Sequence, residues 1–284
     1  GQITACGPGP GLIVRRCNFV GAGGGTAVRS CRGMGGAYVE GNVVRRYALG
    51  IGTWAEDESV ARDNIVEDCE RAIDVGTNHI TVENNTVRRC ERGIMAYSRG
   101  GVLVRNNRVT EATLVGIFAY EANAVVTGNV VWNCPGDGIR VQGSGSVAQN
   151  TSVGNGGYGF TAENGENDPL DVRQNIASGN GLHGLMVDGN VTIGCNDWFA
   201  NSAGAIDNRV PVVPVGDLSV DPLFCNPDSG DFRIGANSPV ADVPGCGRIG
   251  ALESCGVTAT LVQRFSAARA TGGIRVVWEV AEGA

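Results

Sequence analysis

The 284-residue chain holds 45 Gly and 23 Asn, and all 22 of its basic residues are Arg against 29 acidic ones, for a net charge of −7. Without lysine there is no Schiff base and no lysine general base, and arginines interleaved with acids present no basic face for a nucleic acid. No apolar run nears the roughly 18 residues of a membrane span, and ten cysteines behind Gly1, with no leader, fit the mature form of a protein at an oxidising exterior, extracellular or on the cell surface.

The first stretch carries Cys6, Cys17 and Cys31, and a repeat then sets in. One Asn recurs as Asn42, Asn64, Asn85, Asn107, Asn129, Asn150, Asn175 and Asn196, at spacings of 22, 21, 22, 22, 21, 25 and 21. Eight or nine residues after each Asn stands a small residue, usually followed by an aliphatic or aromatic one, as in Gly50-Ile51, Ala72-Ile73, Gly93-Ile94 and Gly138-Ile139. Between the two ladders lie short alternating segments such as Ile80-Thr81-Val82, with the period of two that strands require. Three short strands cannot bury their apolar side chains alone, but stacked copies close a continuous core. The prediction is an all-β parallel β-helix of about eight to nine coils, each about 4.8 Å above the last. The eight Asn form a structural ladder, amide on amide, at one corner.

Over about residues 10 to 210 this N-x-V pattern with its trailing G-I resembles the right-handed parallel β-helix repeat proteins of secreted bacterial type. The resemblance implies a fold and no single activity, since that fold carries lyases, hydrolases, epimerases, adhesins and spike proteins. Residues 1–210 are then the helix with its N-terminal cap. Residues 211–256, with Asp221-Pro222-Leu223-Phe224-Cys225 and Ile249-Gly250-Ala251, look like the closing segment at the C-terminal end of such helices.

Alternation assigns faces. After each Asn the second residue (Val44, Val66, Val87, Val109, Val131) points inward, and the fifth reads Tyr47, Cys69, Cys90, Ala112, Cys134. The third and fourth, Arg45-Arg46, Glu67-Asp68, Arg88-Arg89 and Thr110-Glu111, point outward as a charge ladder that fixes register. A second outward column begins at the Gly-Ile pairs and runs Gly52, Asp74, Met95, Phe118, Arg140, Thr161, Met186, and beside it Trp54, Gly76, Tyr97, Tyr120, Gln142, Glu163, Asp188. Trp54, Met95, Tyr97, Phe118 and Tyr120 thus form an aromatic contact face, flanked by Arg140, Gln142, Glu163 and Asp188, for sugar rings or a protein surface. The competing expectation is that loops at 55–58 and 163–171 fold over it.

The acids Glu163, Glu166, Asp168 and Asp171 suggest Ca²⁺ by their oxygen count, although no calcium-loop motif is present; no other cofactor is expected. Glu163 and Asp188 are candidates for a glycosidase-like carboxylate pair. His79 and His183 lie about five coils apart and cannot share a metal, and no catalytic residue set emerges. Cys69 and Cys90 share a slot in adjacent coils, as a disulfide or as stacked thiols. Cys6, Cys17 and Cys31 at one end and Cys195, Cys225, Cys246 and Cys255 at the other are candidates for staples, with three connectivities open to the last four.

Beyond Cys255 the composition shifts to two alternating strands in 257–284. Arg264-Phe265-Ser266 through Arg269, followed by Ile274-Arg275-Val276-Val277-Trp278, is similar to the opening strands of immunoglobulin-like modules. A lone hairpin is marginal in water, so Phe265, Ile274, Val276 and Trp278 form an assembly tail that packs on the rod or adds a strand to a neighbour. The leading functional reading is a non-enzymatic structural protein that self-associates into homopolymers, filament or surface layer, through coil ends and the donated tail. The alternative is a polysaccharide-binding or polysaccharide-degrading protein, a lyase or glycoside hydrolase if it is an enzyme.

Overall fold

The computed structural model describes residues 1–255 apart from 99, 122 and 166, together with the backbone of strands at 262–270 and 273–280. Successive strands go to three different sheets, so that every third strand pairs in parallel with its predecessor. The first sheet has ten strands, from Ile3–Ala5 to Gly204–Asn208; the second has nine, from Leu12–Arg15 to Val191–Gly194; the third has nine, from Asn18–Val20 to Asp197–Phe199. The result is a parallel β-helix of about nine turns, and no α-helix occurs among the described residues. The core is a stack of like on like. Ile51, Ile73, Ile94, Ile117 and Ile139 lie in one register of the first sheet, and Val44, Val66, Val87, Val109 and Val131 in one register of the third, all fully buried.

The Asn ladder forms as expected. Each Asn Oδ1 accepts both the backbone N–H and the Nδ2 of the Asn one coil earlier, at 2.9–3.0 Å, from Asn42 onto Asn64 through to Asn175 onto Asn196. The ladder is longer than the eight residues read from the repeat. At its start the Cys17 N–H donates to Asn42 Oδ1 at 2.9 Å, and at its end Asp217 Oδ1 accepts from the Asn196 N–H at 2.9 Å. Just before each rung the backbone is left-handed, as at Asp63 (φ 56°), Asn84 (φ 56°) and Asn106 (φ 55°). That conformation costs a non-glycine residue about 1 kcal/mol or more, and the saturated hydrogen bonds at the corner offset it.

Several outward-facing positions are not exposed as expected. Glu67 is buried, because Arg45 Nε binds Oε2 at 2.6 Å and Arg88 binds Oε1 from the next coil. Burial raises its carboxyl, but the hydrogen bonds from Arg45 and Arg88 outweigh this and hold it below the usual carboxylate range. Asp68 and Arg89 do form the expected exposed pair, at 2.7 Å. On the first sheet Asp74, Met95, Thr161 and Met186 are also buried. They lie on the outer face, in register with Phe118 and Arg140, and large neighbours shield them.

Six cysteines form disulfides, Cys6–Cys31, Cys195–Cys246 and Cys225–Cys255. Cys17, Cys69, Cys90 and Cys134 are free. Of the disulfide candidates, then, Cys17 is instead the first rung of the ladder, and Cys69 and Cys90 are stacked thiols.

The closing segment does more than cap the end. Chain near Val215 and Leu218 adds bridges to Gly194 and Asp197, after which the segment turns back along the outside of the third sheet. Gln174 Nε2 donates to the Cys246 carbonyl at 2.6 Å, the Ala251 N–H to Thr151 Oγ1 at 3.0 Å, and Arg108 Nη2 to the Gly230 carbonyl at 2.7 Å. Trp132 meets Phe232 with ring centroids 5.6 Å apart. Ile234, Val240 and Ile249 close on Ile176 as a second small core. The tail forms an antiparallel hairpin, Val262–Ala270 with Gly273–Val280, that sets Phe265 opposite Trp278 and Ala267 opposite Val276. The side chains of Phe265, Ile274, Val276 and Trp278 lie outside the described residues.

Candidate functional site

The first sheet runs the length of the rod, and the helical register decides which side chains meet on its outer face. Tyr97 pairs with Tyr120, Tyr120 with Gln142, Gln142 with Glu163 and Glu163 with Asp188, one coil per step. Beside that column Met95 pairs with Phe118 and Phe118 with Arg140. The predicted aromatic face and its polar flank therefore form one continuous strip.

Trp54 takes its place by lying down. A Cβ at Gly52 would stand 2.7 Å from Trp54 Cζ3, and one at Gly76 would stand 2.8 Å from Cδ1. Only glycines leave the indole room to rest across two coils, and Arg29 Cζ stands 5.7 Å from the ring centroid, within cation–π range. Tyr97, Phe118 and Tyr120 pack as a triad with centroids 5.7, 6.2 and 6.3 Å apart, the Tyr97–Phe118 contact being edge to face. Burial raises the Tyr97 hydroxyl above its ordinary value, with the Asp74 charge adding to it. Burial likewise raises Asp74, against the opposing pull of Arg71 at 2.9 Å.

The loops leaving these strands do not cover the strip. Tyr120 is 37% exposed, and Trp54, Tyr97 and Phe118 are half-buried. Trp54, Tyr97 and Tyr120, together with loop residues, wall a groove of about 630 Å³ whose polar lining includes Arg32, Glu56, Asn78 and Glu121. Arg32, Asn78 and Glu121 were not singled out in the sequence, because loop residues obey no period. Arg140, Gln142, Glu163 and Asp188 lie further along the strip, outside that lining.

The polar flank is largely committed to itself. Arg140 Nη2 binds Glu163 Oε2 at 2.7 Å while its guanidinium stands 5.4 Å from the Phe118 centroid. Glu163 and Asp188 are neighbours in register, but with Glu163 held by Arg140 they do not form a free acid and base. Calcium is not supported. Asp171 is taken by Arg173 at 2.5 Å and by Thr192 Oγ1 at 2.9 Å, Asp168 gives its carbonyl to Asn164, and Glu166 lies outside the described residues. No group of three or more His, Cys, Asp or Glu placed to hold a metal occurs among the described residues. His79 is exposed, and His183 stacks on Tyr158 at 6.2 Å, so the two stay apart.

Two features were missed in the sequence, one at the second corner and one at the end of the first. The fifth-residue column that begins Tyr47, Cys69, Cys90, Ala112, Cys134 continues as Asn155, Asn180 and Asn201, a second amide ladder with rungs of 2.8–3.0 Å. Its signal, G-N-G at 154–156 and again at 179–181, was legible. Near the C-terminal end Asp197 is fully buried, with Oδ1 accepting from the Val220 N–H at 2.9 Å and Oδ2 without a partner. Burial, and then the nearby Asp221 and Asp217 charges, push its pKa up to about 7.

Residues 23–147 match a family model described as "Periplasmic copper-binding protein (NosD)". The matched span contains the aromatic face and the three buried thiols Cys69, Cys90 and Cys134, and it stops short of Glu163 and Asp188. Searches of curated proteins and of solved structures return no match. No helix among the described residues is long and apolar enough to cross a membrane.

Proposed function

We propose that this chain is a non-enzymatic exported protein, periplasmic or extracellular, that binds an extended neutral polysaccharide along the outer face of its first sheet. The observation that carries the reading is the groove walled by Trp54, Tyr97 and Tyr120, an open concavity that sets aromatic faces among hydrogen-bonding side chains such as Asn78, Ser98 and Thr77. Its lining charges are of mixed sign, Arg32 against Glu56 and Glu121, so a polyanion gains no net attraction there. Coils about 4.8 Å apart offer a rung spacing close to one sugar unit of an extended chain. The periplasmic description of the matching family supports the export reading. The copper in that description finds no cluster of three His, Cys, Asp or Glu ligands among the described residues.

Affinity electrophoresis through gels cast with xylan, β-1,3-glucan or polygalacturonate tests the proposal. We expect retardation by a neutral glycan, weakened at least about tenfold by Tyr97→Ala with Tyr120→Ala, a loss of two aromatic anchors. Retardation by polygalacturonate alone, or an unaffected double variant, sinks it. A release of reducing ends or unsaturated uronic products would make the protein an enzyme.

Self-association is a second reading, favoured by the C-terminal edge. Strand Gly204–Asn208 is the last of its sheet, and Val213 and Val215, in the chain that follows it and passes the end of the second sheet, are 83% and 69% exposed. Yet Cys255, the last described residue before the tail, is tied by Cys225 and by the Ile234 carbonyl to the flank of the rod and not to its end. Negative-stain electron microscopy over a concentration series decides. Fibres whose axial repeat equals the rod length, lost on removing 257–284, support assembly through the tail; dispersed rods at every concentration refute it.

A further inference from the structure

The second sheet carries an apolar stripe on its outer face. Its outward positions read Ile13, Tyr38, Val60, Thr81, Leu103 and Val125, one per coil and in register from strand to strand. Ile13 is 65% exposed, Val125 41% and Tyr38 37%, whereas the two chain neighbours of every stripe residue are buried. The Tyr38 hydroxyl donates to Glu58 Oε2 at 3.0 Å, so its polar end is satisfied and its ring belongs to the stripe. The stripe stops where Ser146, Asp171 and Thr192 take the same position. A contiguous apolar patch of this kind marks a contact surface.

Two residues further along each strand runs a charged row, Arg15, Glu40, Arg62, Glu83 and Arg105, followed by Thr127 in the sixth coil. Its sign alternates at every step. Within the chain Arg15 and Arg62 bind Glu40 at 3.0 and 3.1 Å, and Arg105 binds Glu83 at 2.6 Å. Reversed end to end, such a row meets opposite charges only about a point between two coils; an axis through a coil sets like against like. The midpoint of the six-residue stripe is such a point, between Val60 and Thr81. A two-fold axis there, perpendicular to the rod and between two facing sheets, brings Arg62 against Glu83 and Glu40 against Arg105 of a second copy. The same axis sets Val60 against Thr81, Tyr38 against Leu103 and Ile13 against Val125. The extent of the stripe and the alternation of the row are separate features, and both select this axis.

We infer that the chain pairs with a second copy of itself, second sheet against second sheet, with the two rods antiparallel about that two-fold axis. Sheets packed face to face stand about 10 Å apart, and an isologous contact closes at two copies. Six coils of about 4.8 Å and strands of four residues at about 3.3 Å each make a flat footprint of roughly 400 Å² per copy. That is small for a specific interface, so the pair is weak and exchanges with the single rod. It needs no part of the tail, and none of these residues lines the groove of the first sheet.

Sedimentation equilibrium of the full chain, disulfides intact, from about 5 to about 500 µM spans the affinities such a contact reaches. A reversible monomer–dimer equilibrium is expected. Val60→Asp enters the contact twice per pair and should weaken it at least about tenfold, since each copy then buries an unpaired charge. Arg62→Glu and Glu83→Arg should each abolish pairing alone, because each then faces its like. Mixed in equal amounts, these two variants should pair, because every charge beside the axis then meets its opposite. Thermal melts confirm that the variants fold; should they not, oxidative footprinting of the unaltered protein replaces them, with Tyr38 and Leu103 protected at the highest concentration and open at the lowest. A monomer at every concentration, a pair that survives Val60→Asp, no pairing in the mixture of folded variants, or Tyr38 and Leu103 left open in the dimer would each overturn the inference.

Discussion

The two corners of this helix solve one problem in two ways. At the first, eight asparagines run unbroken from Asn42 to Asn196, each amide engaged along the axis and to a carbonyl of its own or the preceding coil. At the second, only the C-terminal three coils use asparagine, and the preceding ones use tyrosine, thiol and alanine. Both corners bend the chain through left-handed residues. A corner can therefore be built without amides, and the unbroken ladder measures how strongly the first is held to a single register, while the second accepts side chains of several kinds.

Substitutions sharpen the contrast, and the largest effect belongs to the first corner. Asn107→Ala leaves the Asn85 N–H and Nδ2 without their acceptor at 2.9–3.0 Å and removes the donors to Val82 and Asn129. With several buried partners orphaned, a loss of about 3 kcal/mol is expected in chemical denaturation; a loss under 1 kcal/mol would mean the ladder is decoration.

Next comes Asp197, where the first ladder meets the closing segment. Its carboxyl is raised in the fold, so the native state holds a proton that the unfolded chain gives up from about pH 4 upward. Stability falls as pH rises through that carboxylate value towards 7, and the loss is complete above 7. Asp197→Asn should flatten this slope and raise stability at pH 8 by about 2 kcal/mol, part of what 1.36 kcal/mol per pKa unit allows, read from thermal melts at pH 4, 6 and 8. A slope that survives the substitution would assign it to another group.

Smaller still is Cys134→Asn at the second corner. It continues the amide ladder by one rung, supplying Ala112 with an oxygen in place of sulfur, and should leave stability within about 1 kcal/mol of the parent. Least of all is Asp68→Ala. It breaks an exposed pair with Arg89 worth a few tenths of a kcal/mol and should move the midpoint barely beyond error, more at low salt than at high.

Repetition explains what the sequence disclosed. Eight Asn at near-constant spacing, and Val or Ile at fixed offsets from them, define coil length and register, and every axial neighbour on the first sheet follows, Tyr97 beside Tyr120 and Phe118 beside Arg140. What escaped was whatever the repeat does not govern. Glu67 is buried because two arginines from adjacent coils close over it, and a face assignment by alternation counts positions without weighing partners. The groove needed Arg32, Asn78 and Glu121 from loops of unequal length. Asn155, Asn180 and Asn201 were periodic but interrupted upstream by Cys and Ala, so a single-residue search did not join them. The return of residues 218–255 along the third sheet had no repeat to announce it.

That return bears on how the rod fails. A stack in which each coil touches only its neighbours comes apart from its ends, one coil at a time. Here the chain that leaves the last coil is anchored at Gln174, Thr151, Trp132 and Arg108 and is locked to itself and to Cys195 by two disulfides. Peeling from the C-terminal side must release a strap laid over several coils before the first of them opens. Those coils then yield together or not at all, and the weak point under heat or tension moves to the opposite end of the rod.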